Sequence, residues 1–520
     1  MPNLVRLQRQ AVNLLQQGQL DKVERLCAAI LQHRRDDYVA LHLLGFVHLQ
    51  RRRHNDAIGF LTKAAKVDPR SVDAASNLGL ALHGAGRFED AVAEYRKALA
   101  LAPNHPEILY NRGNAQFELD RIDDALASFD AALAHNPSHV GAHVNRGNTL
   151  IRFNRPVDAL EGYEKALALM PGHPEILVNR GHALRRLNRP QEALSNFETA
   201  LSTHPEFPEA HFEASLAHLA LGDFGRGWKA YEWRWKTAAF ADKRRSFRQP
   251  LWLGNVPLSG KTILLHAEQG FGDTLQFIRY APLFASSGAR VIFEVQPGLV
   301  SLLSQLDGIE IIAKGNPLPD FDLHCPLMSL PLAFGTELAT IPAETPYLTA
   351  PAERVAHWRD RLPQGSLRAG FVWSGSHGHR NDANRSIPLA QFSQLFENLP
   401  FACISLQREM READREVLQR LPDIVDLSAE LSDFSDTAAV ISLLDIVVSV
   451  DTAVAHLAGA LGKPVVILLP YAPDFRWLRE RHDTPWYPTA KLMRQPAFGD
   501  WDSVIAGLAE ELRGIVGAGG

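Results

Sequence analysis

Several short stretches hold the residue types that can do chemistry. Val447 to Pro470 reads VVSVDTAVAHLAGALGKPVVILLP, and its polar residues gather at one corner: Asp451, Thr452 and, one turn on, His456. A cap-type residue that opens a helix after an apolar run leaves free N–H groups suited to a phosphate. A second stretch, EQGFGDT, carries Glu268, Gly270, Gly272 and Asp273. Its two glycines are a weak dinucleotide signal, because a third glycine and a closing acidic residue are missing. Asp273, at a helix start, is either a plain N-cap or a general base facing a crevice, with Glu268 the alternate base. A third stretch, GSHGHRNDANRS, is a long basic loop with His377, His379, Arg380 and Arg385, placed where a second phosphate grip is needed. Ser374 and Gln407 end the apolar runs that border it and are assigned to the same ligand. His377 and His379 form an HxH pair without a third ligand at metal spacing, so no metal is expected.

These residues need particular elements to position them. Residues 447–450 and 464–469 are almost purely apolar and β-branched, as expected of parallel strands buried on both faces, with a short helix between them. Thr262–Ala267, a helix over Leu275–Ser286 and a strand at 291–295 form another βαβ unit, followed by runs at 309–313 and 321–331. A second lobe opens with Arg368–Ser374 and continues through a helix from Leu389 and strands at 401–407 and 424–427. In open parallel sheets, ligands bind at the carboxyl ends of the strands, where all three polar stretches fall.

The first half obeys a different rule. Prolines recur at Pro69, Pro103, Pro137, Pro171 and Pro205, and glycines at Gly45, Gly79, Gly113, Gly147 and Gly181, both at a spacing of 34. Ala57, Ala91, Ala125, Ala159 and Ala193 keep the same period, as do the aromatics Tyr95, Phe129, Tyr163 and Phe197. Small residues at fixed offsets let paired helices approach, the aromatic fills the space beside them, and proline ends each unit. The pattern resembles the tetratricopeptide repeat. Six repeats are placed at about 4–37, 38–71, 72–105, 106–139, 140–173 and 174–207, with a degenerate capping unit at 208–241. Asn77, Asn111, Asn145 and Asn179 each lie two residues before the glycine, on the first helix, which lines the inner face of such a solenoid. A ladder of side-chain amides can hold a peptide by its backbone, or can simply bond the neighbouring repeat.

Length and composition bound the rest. A chain of 520 residues exceeds one core, and 46% apolar with 22% charged residues is ordinary for a globular protein. A net charge of −5 gives no pull toward nucleic acid. Three scattered cysteines argue against a disulfide framework and fit a cytoplasmic setting. No apolar run suits a secretory leader or a membrane span. Four tryptophans between Trp228 and Trp252 are expected to cap the repeats and dock them on the α/β half of the chain.

Residues 262–515 resemble the heptosyltransferase-like, family 9 type glycosyltransferases. GFGDTLQFIRYAPLF is similar to that family's Gly-Asp-x-Leu motif, and VDTAVAHLAGALGKP to its Asp-Thr-Gly-x-x-His-x-Ala motif, with Ala453 in place of the glycine. The resemblance implies a GT-B fold, with Asp273 as catalytic base and a donor pyrophosphate held by Asp451, Thr452, Ala453 and His456. Arg385 matches a basic phosphate ligand more loosely. The expected architecture is an α-solenoid of tetratricopeptide repeats followed by an α/β GT-B unit of two Rossmann-like lobes with a crevice between them. Its domains are residues 1–241, a linker at 242–261, an acceptor-side lobe at 262–355 and a donor lobe at 356–520. The plan is similar to O-GlcNAc transferases and to repeat-bearing flagellin glycosyltransferases. It implies an inverting, metal-independent glycosyltransferase with no cofactor, in which Gly272, Ser374, Arg385, Gln407, Asp451, Thr452, Ala453 and His456 bind a nucleotide sugar. The ladder asparagines would then bind a protein or peptide acceptor. Two other readings are a heptosyltransferase acting on a glycan or lipid, and a repeat scaffold with silent glycosyltransferase lobes.

Overall fold

The computed structural model describes residues 2–379, 381–396 and 399–517; Arg380, from the basic loop, lies outside them. It forms two compact units, Met1–Ala183 and Leu184–Gly520. In the first, helices alternate at the expected period: Tyr38–Gln50 with His54–Val67, Val72–Gly84 with Phe88–Leu101, Pro106–Glu118 with Ile122–His135, Val140–Arg152 with Pro156–Leu169. The repeat glycine has a steric cause. A Cβ on Gly79 would lie 2.5 Å from the Tyr95 ring and one on Gly113 2.7 Å from the Phe129 ring. Each glycine admits the aromatic of its own second helix, and Tyr95, Phe129, Ala91 and Ala125 are wholly buried. The chain is thus an α-solenoid of tetratricopeptide repeats followed by an α/β unit.

The second unit begins inside the array. Helices Pro190–Thr203, Pro208–Ala220 and Phe224–Tyr231 precede the sheets, and the last two share their core with the strands. Trp228 sits edge-on to Phe277 and Phe475, and Trp252 packs on Phe284 and Phe334. Trp228 thus ties the last helix before the sheets to the lobes as expected, whereas Trp252 packs within the first lobe and Trp233 stacks on His211 at 3.9 Å.

Among the described residues the sheets are two, both all-parallel. One has the order β3-β2-β1-β4, from β1 (Thr262–His266), β2 (Arg290–Val295), β3 (Ile309–Ala313) and β4 (Leu323–Pro326). The other has the order β10-β9-β8-β5-β6-β7, from β5 (Arg368–Val372), β6 (Ala402–Ser405), β7 (Ile424–Asp426), β8 (Ile446–Val450), β9 (Val465–Leu469) and β10 (Ala490–Arg494). Strand order reverses between β1 and β4 in the first and between β5 and β8 in the second. A crevice opens at such switch points because the crossover helices leave to opposite sides.

The helices differ from expectation in detail. The one expected over 275–286 starts earlier, at Phe271, and breaks into Phe271–Phe277, a tight turn Ile278–Tyr280 and Ala281–Ala285. Pro282 has no N–H to offer the Ile278 carbonyl, so the α-helix cannot run through. The expected helix from Leu389 is a single turn to Phe392. Helices Ala352–Arg359, Glu412–Leu418 and Phe434–Ser442, and strand β10, were not anticipated. Among the described residues no helix is long and apolar enough to cross a membrane.

Candidate functional site

The turn after β1 leads into the helix Phe271–Phe277, and the turn after β8 into the helix Ala453–Ala460. The two helix starts meet. A Cβ on Gly272 would lie 2.8 Å from His456 Cδ2 and 3.6 Å from Ala453 Cα. Gly272 therefore serves close approach of the two lobes rather than a turn, since any side chain would push the helix starts apart. Asp273 is the third residue of its helix, and its Oδ2 accepts from the Gly270 N–H at 2.8 Å.

Across the β5/β8 switch point, residues 382–386 of the basic loop are held by hydrogen bonds. The Ser386 hydroxyl accepts from the Gly375 N–H at 2.9 Å and donates to Asp382 at 2.6 Å, and Arg411 pairs with Asp382 at 2.5 Å. That network aims Arg385 at the carboxyl end of β8, where Nη1 donates to the Asp451 carbonyl at 2.8 Å. Its guanidinium lies over Gly375, where a Cβ would come within 2.5 Å of Nη2, and its buried Nε has no hydrogen-bond partner, with Asp382 Oδ1 at 3.9 Å. The Ser374 hydroxyl is likewise buried and unpartnered. Thr452 turns its hydroxyl to Ser449 at 2.9 Å and does not cap the helix, so the first amides of that helix are left without a side-chain cap. Two unsatisfied donors and an uncapped helix start at one switch point are what an oxyanion ligand completes.

The electrostatics follow from burial. His456 is held between Tyr487, whose hydroxyl is 2.9 Å from Nδ1, and the stacked Trp477. Burial first, then Arg476, Arg279 and Arg385, push its imidazolium form well below the usual range, so it is a neutral ring at pH 7. Arg279 crosses from the first lobe and donates to the Trp486 carbonyl at 2.6 Å, with its guanidinium over the Tyr487 ring. Asp451 behaves oppositely: burial first, then the Asp474 carboxylate, raise its pKa to about 6 against the pull of Arg385. The folded chain thus holds a proton that the unfolded chain has lost, from about pH 4 to about pH 6. That stabilisation is complete below the unfolded value and is lost as pH rises through about 6. Asp451→Asn is accordingly expected to match the wild type in stability at pH 4 and to exceed it by about 2 kcal/mol at about pH 7.5. Melting temperatures across that range check this, and a constant difference between the two chains would refute it.

Other expected site residues land elsewhere. Glu268 is buried against the wholly buried Arg234 at 3.1 Å, with burial raising its carboxyl above the ordinary range against the pull of that guanidinium. Arg234 also holds Glu232 at 2.7 Å and Ser329 at 2.8 Å, so Glu268 belongs to a structural ion-pair network and does not face the crevice as an alternate base. Gln407 spends its amide on the Trp373 and Ser374 N–H groups and on the Ser374 and Glu409 carbonyls. It ties β5 to β6 and has nothing left for a ligand. His377 and His379 stay exposed. In the repeats, Asn77 Nδ2 lies 3.0 Å from His42 Nε2, and Asn145 donates to Tyr110 at 3.1 Å and to Asn114 at 2.8 Å. Those two asparagines bond the preceding repeat. Asn111 and Asn179 are half-buried with no side-chain hydrogen bond among the described residues.

Sequence reasoning missed Asp474 and Arg476, which come after β9. Arg476 is buried, pairs with Asp273 and donates to Gln276 Oε1 at 2.5 Å and Asp474 at 2.8 Å. The position of PDFR three residues past the end of an apolar strand, at a carboxyl end, was the available signal.

Comparison with known proteins places both halves. Residues 389–493 match the glycosyltransferase family 9 (heptosyltransferase) model, and residues 83–120, 110–174 and 178–232 match tetratricopeptide repeat models. Protein FlbA of Caulobacter vibrioides (strain ATCC 19089 / CIP 103742 / CB 15) is 24% identical over 323 residues, covering 57% of this chain and 53% of that protein. The chain thus spans about half the length of the curated relative it matches. Among solved structures, MamA is 25% identical with a TM-score of 0.30, covering 31% of this chain and 95% of that one. PilF of Pseudomonas aeruginosa is 23% identical with a TM-score of 0.35, covering 38% and 90%. A repeat protein of Parabacteroides merdae ATCC 43184 is 17% identical with a TM-score of 0.39, covering 46% and 97%.

Proposed function

We propose, for a chain that joins tetratricopeptide repeats to a family 9 glycosyltransferase domain, that it moves a sugar from a nucleotide donor to a protein or peptide gathered by the repeats. One observation carries this: Asp273 stands at the switch point of one sheet, pressed through Gly272 against the Arg385–Asp451–Ala453 corner at the switch point of the other. A base and an oxyanion site brought together in this way would be the two halves of a transfer reaction. In this step the acceptor hydroxyl gives its proton to Asp273 as its oxygen bonds to the anomeric carbon. The bond from that carbon to the diphosphate oxygen breaks, and the nucleoside diphosphate leaves with the electron pair. One base and no enzyme nucleophile imply inversion. Arg385, the helix amides at Ala453 and the Ser374 hydroxyl take up the developing charge, the work a metal does in other enzymes, so the step calls for none. His456 contributes as a neutral ring that supports the helix start, and Thr452 by leaving that start uncapped. The lobe of residues 262–355 would present the acceptor and that of 356–520 the donor.

The test is a screen of nucleotide sugars for nucleoside diphosphate release and for label transfer to protein. Release with label on a saccharide and on no protein would favour a heptosyltransferase-like activity, which the match of residues 389–493 to that family supports. The ladder makes its own prediction. Replacing Asn111 and Asn179 by alanine is expected to weaken acceptor labelling about 10-fold without changing donor turnover, the loss of two hydrogen bonds. Replacing Asn77 and Asn145 instead lowers the melting temperature of the repeats. Equal labelling by the first variant and the wild type would sink the ladder reading.

A further inference from the structure

Arg476 lies on the segment after β9, a third strand end at the crevice, and its guanidinium crosses from one lobe to the other. Nε donates to Gln276 and Nη2 pairs with Asp273, and those two residues share the helix Phe271–Phe277 of the first lobe. Nη1 is held by Asp474. In this state Asp273 has one oxygen on the guanidinium and the other on the Gly270 N–H. A carboxylate whose oxygens are committed in this way is a poor acceptor for a substrate proton.

The same guanidinium is the cation that an arriving diphosphate would compete for. Arg476 has Asp474, Asp273 and Asp451 around it, and it bears directly on His456 in the helix whose start faces Gly272. Its backbone is anchored rather than loose: Arg494 holds the Trp477 and Arg481 carbonyls at 2.5 and 3.0 Å, and Arg479 holds Asn188 at 3.0 Å. Leu478 (φ 53°) and Glu480 (φ 53°) adopt left-handed backbone that non-glycine residues accept only when neighbours enforce it. With the segment pinned on both sides, the freedom that remains to Arg476 is in its side chain.

We propose that Arg476 is a latch on the base that a bound nucleoside diphosphate group releases. With the donor absent, Arg476 occupies Asp273. With the diphosphate on the Ala453 helix start, Nη2 turns to a phosphate oxygen and frees Asp273 Oδ1 for the acceptor hydroxyl. Departure of the nucleoside diphosphate restores the ion pair. Arg476 is a positioning residue for Asp273, and donor binding precedes a productive acceptor complex. This deepens the glycosyl-transfer reading and rests on it.

The experiment is a binding cycle on the full chain by calorimetry, with ADP, GDP, CDP, UDP and dTDP as probes, carried forward with the tightest. Asp273→Asn removes the competitor for the guanidinium, so it is expected to bind the diphosphate about fivefold more tightly than wild type, while Arg476→Lys binds about tenfold more weakly. The double variant is expected to bind no more tightly than Arg476→Lys alone. A merely structural role for the pair predicts the reverse, with Asp273→Asn weakening the site. Equal or weaker binding by Asp273→Asn, with its circular dichroism unchanged, overturns the latch and leaves the donor reading standing. Absence of binding by wild type to all five probes overturns both.

Discussion

Sugar transfer by the Asp273→Asn chain is expected to fall about 10²- to 10⁴-fold in kcat if Asp273 is the proposed general base, the range that loss of such a base produces. The amide keeps the shape of the carboxylate and the contact with Gly270 near it, so the drop reports chemistry and not folding. Nucleoside diphosphate release in the presence of acceptor, set beside direct binding of the nucleotide, separates the two. Transfer must collapse while nucleotide binding persists. An Asp273→Asn chain that transfers at the wild-type rate would move the base elsewhere, and Glu268 would not be the place to look. That carboxylate is sealed against Arg234 and faces no acceptor.

The second large effect is on stability. Arg234→Met is expected to destabilise the second unit by about 3–5 kcal/mol, because it strands Glu268 and Glu232 beside each other without their counter-charge. Glu268→Gln costs less, since Glu232 still neutralises the guanidinium, and it leaves kcat per folded molecule unchanged. Thermal unfolding of the three chains with parallel activity measurements provides the check. A Glu268→Gln chain that folds normally and loses transfer would return Glu268 to the active site. An Arg234→Met chain as stable as wild type would mean that the network contributes nothing to holding the segment around Tyr231 on the lobe.

The repeat array was legible almost to the residue because its information is local. Gly79 and Tyr95, or Gly113 and Phe129, lie on consecutive helices of one unit, so the steric demand of the pair appears in the sequence as a fixed spacing. The ladder was legible only as a register. Whether an asparagine is free for a peptide depends on what the previous repeat places opposite it. His42 and Tyr110 do so for Asn77 and Asn145, while among the described residues no such partner meets Asn111 or Asn179. Pattern alone does not distinguish these cases, because the four positions are equivalent by period and differ only across the interface.

The strand–helix–strand around Asp451 and the turn at Asp273 were likewise readable, since an apolar run, a cap-type residue and a glycine are neighbours along the chain. Their meeting was not. Asp273 and Arg476 are 203 residues apart, and Arg385 reaches the Asp451 carbonyl across 66. Such pairs depend on which strands lie side by side, and strand order is decided by burial of whole sheets. For the same reason Glu268 and Gln407 read as chemistry in the sequence and proved to be supports. A buried polar side chain takes whatever partner the fold brings within reach, and Arg234 and the Trp373–Ser374 backbone arrived first. The sequence by itself determined the repeats, the two parallel lobes and the two halves of the crevice. The tertiary structure alone decided that Gly272 lets those halves touch and that Arg476 pairs with Asp273, because both are close approaches between lobes that no local spacing encodes.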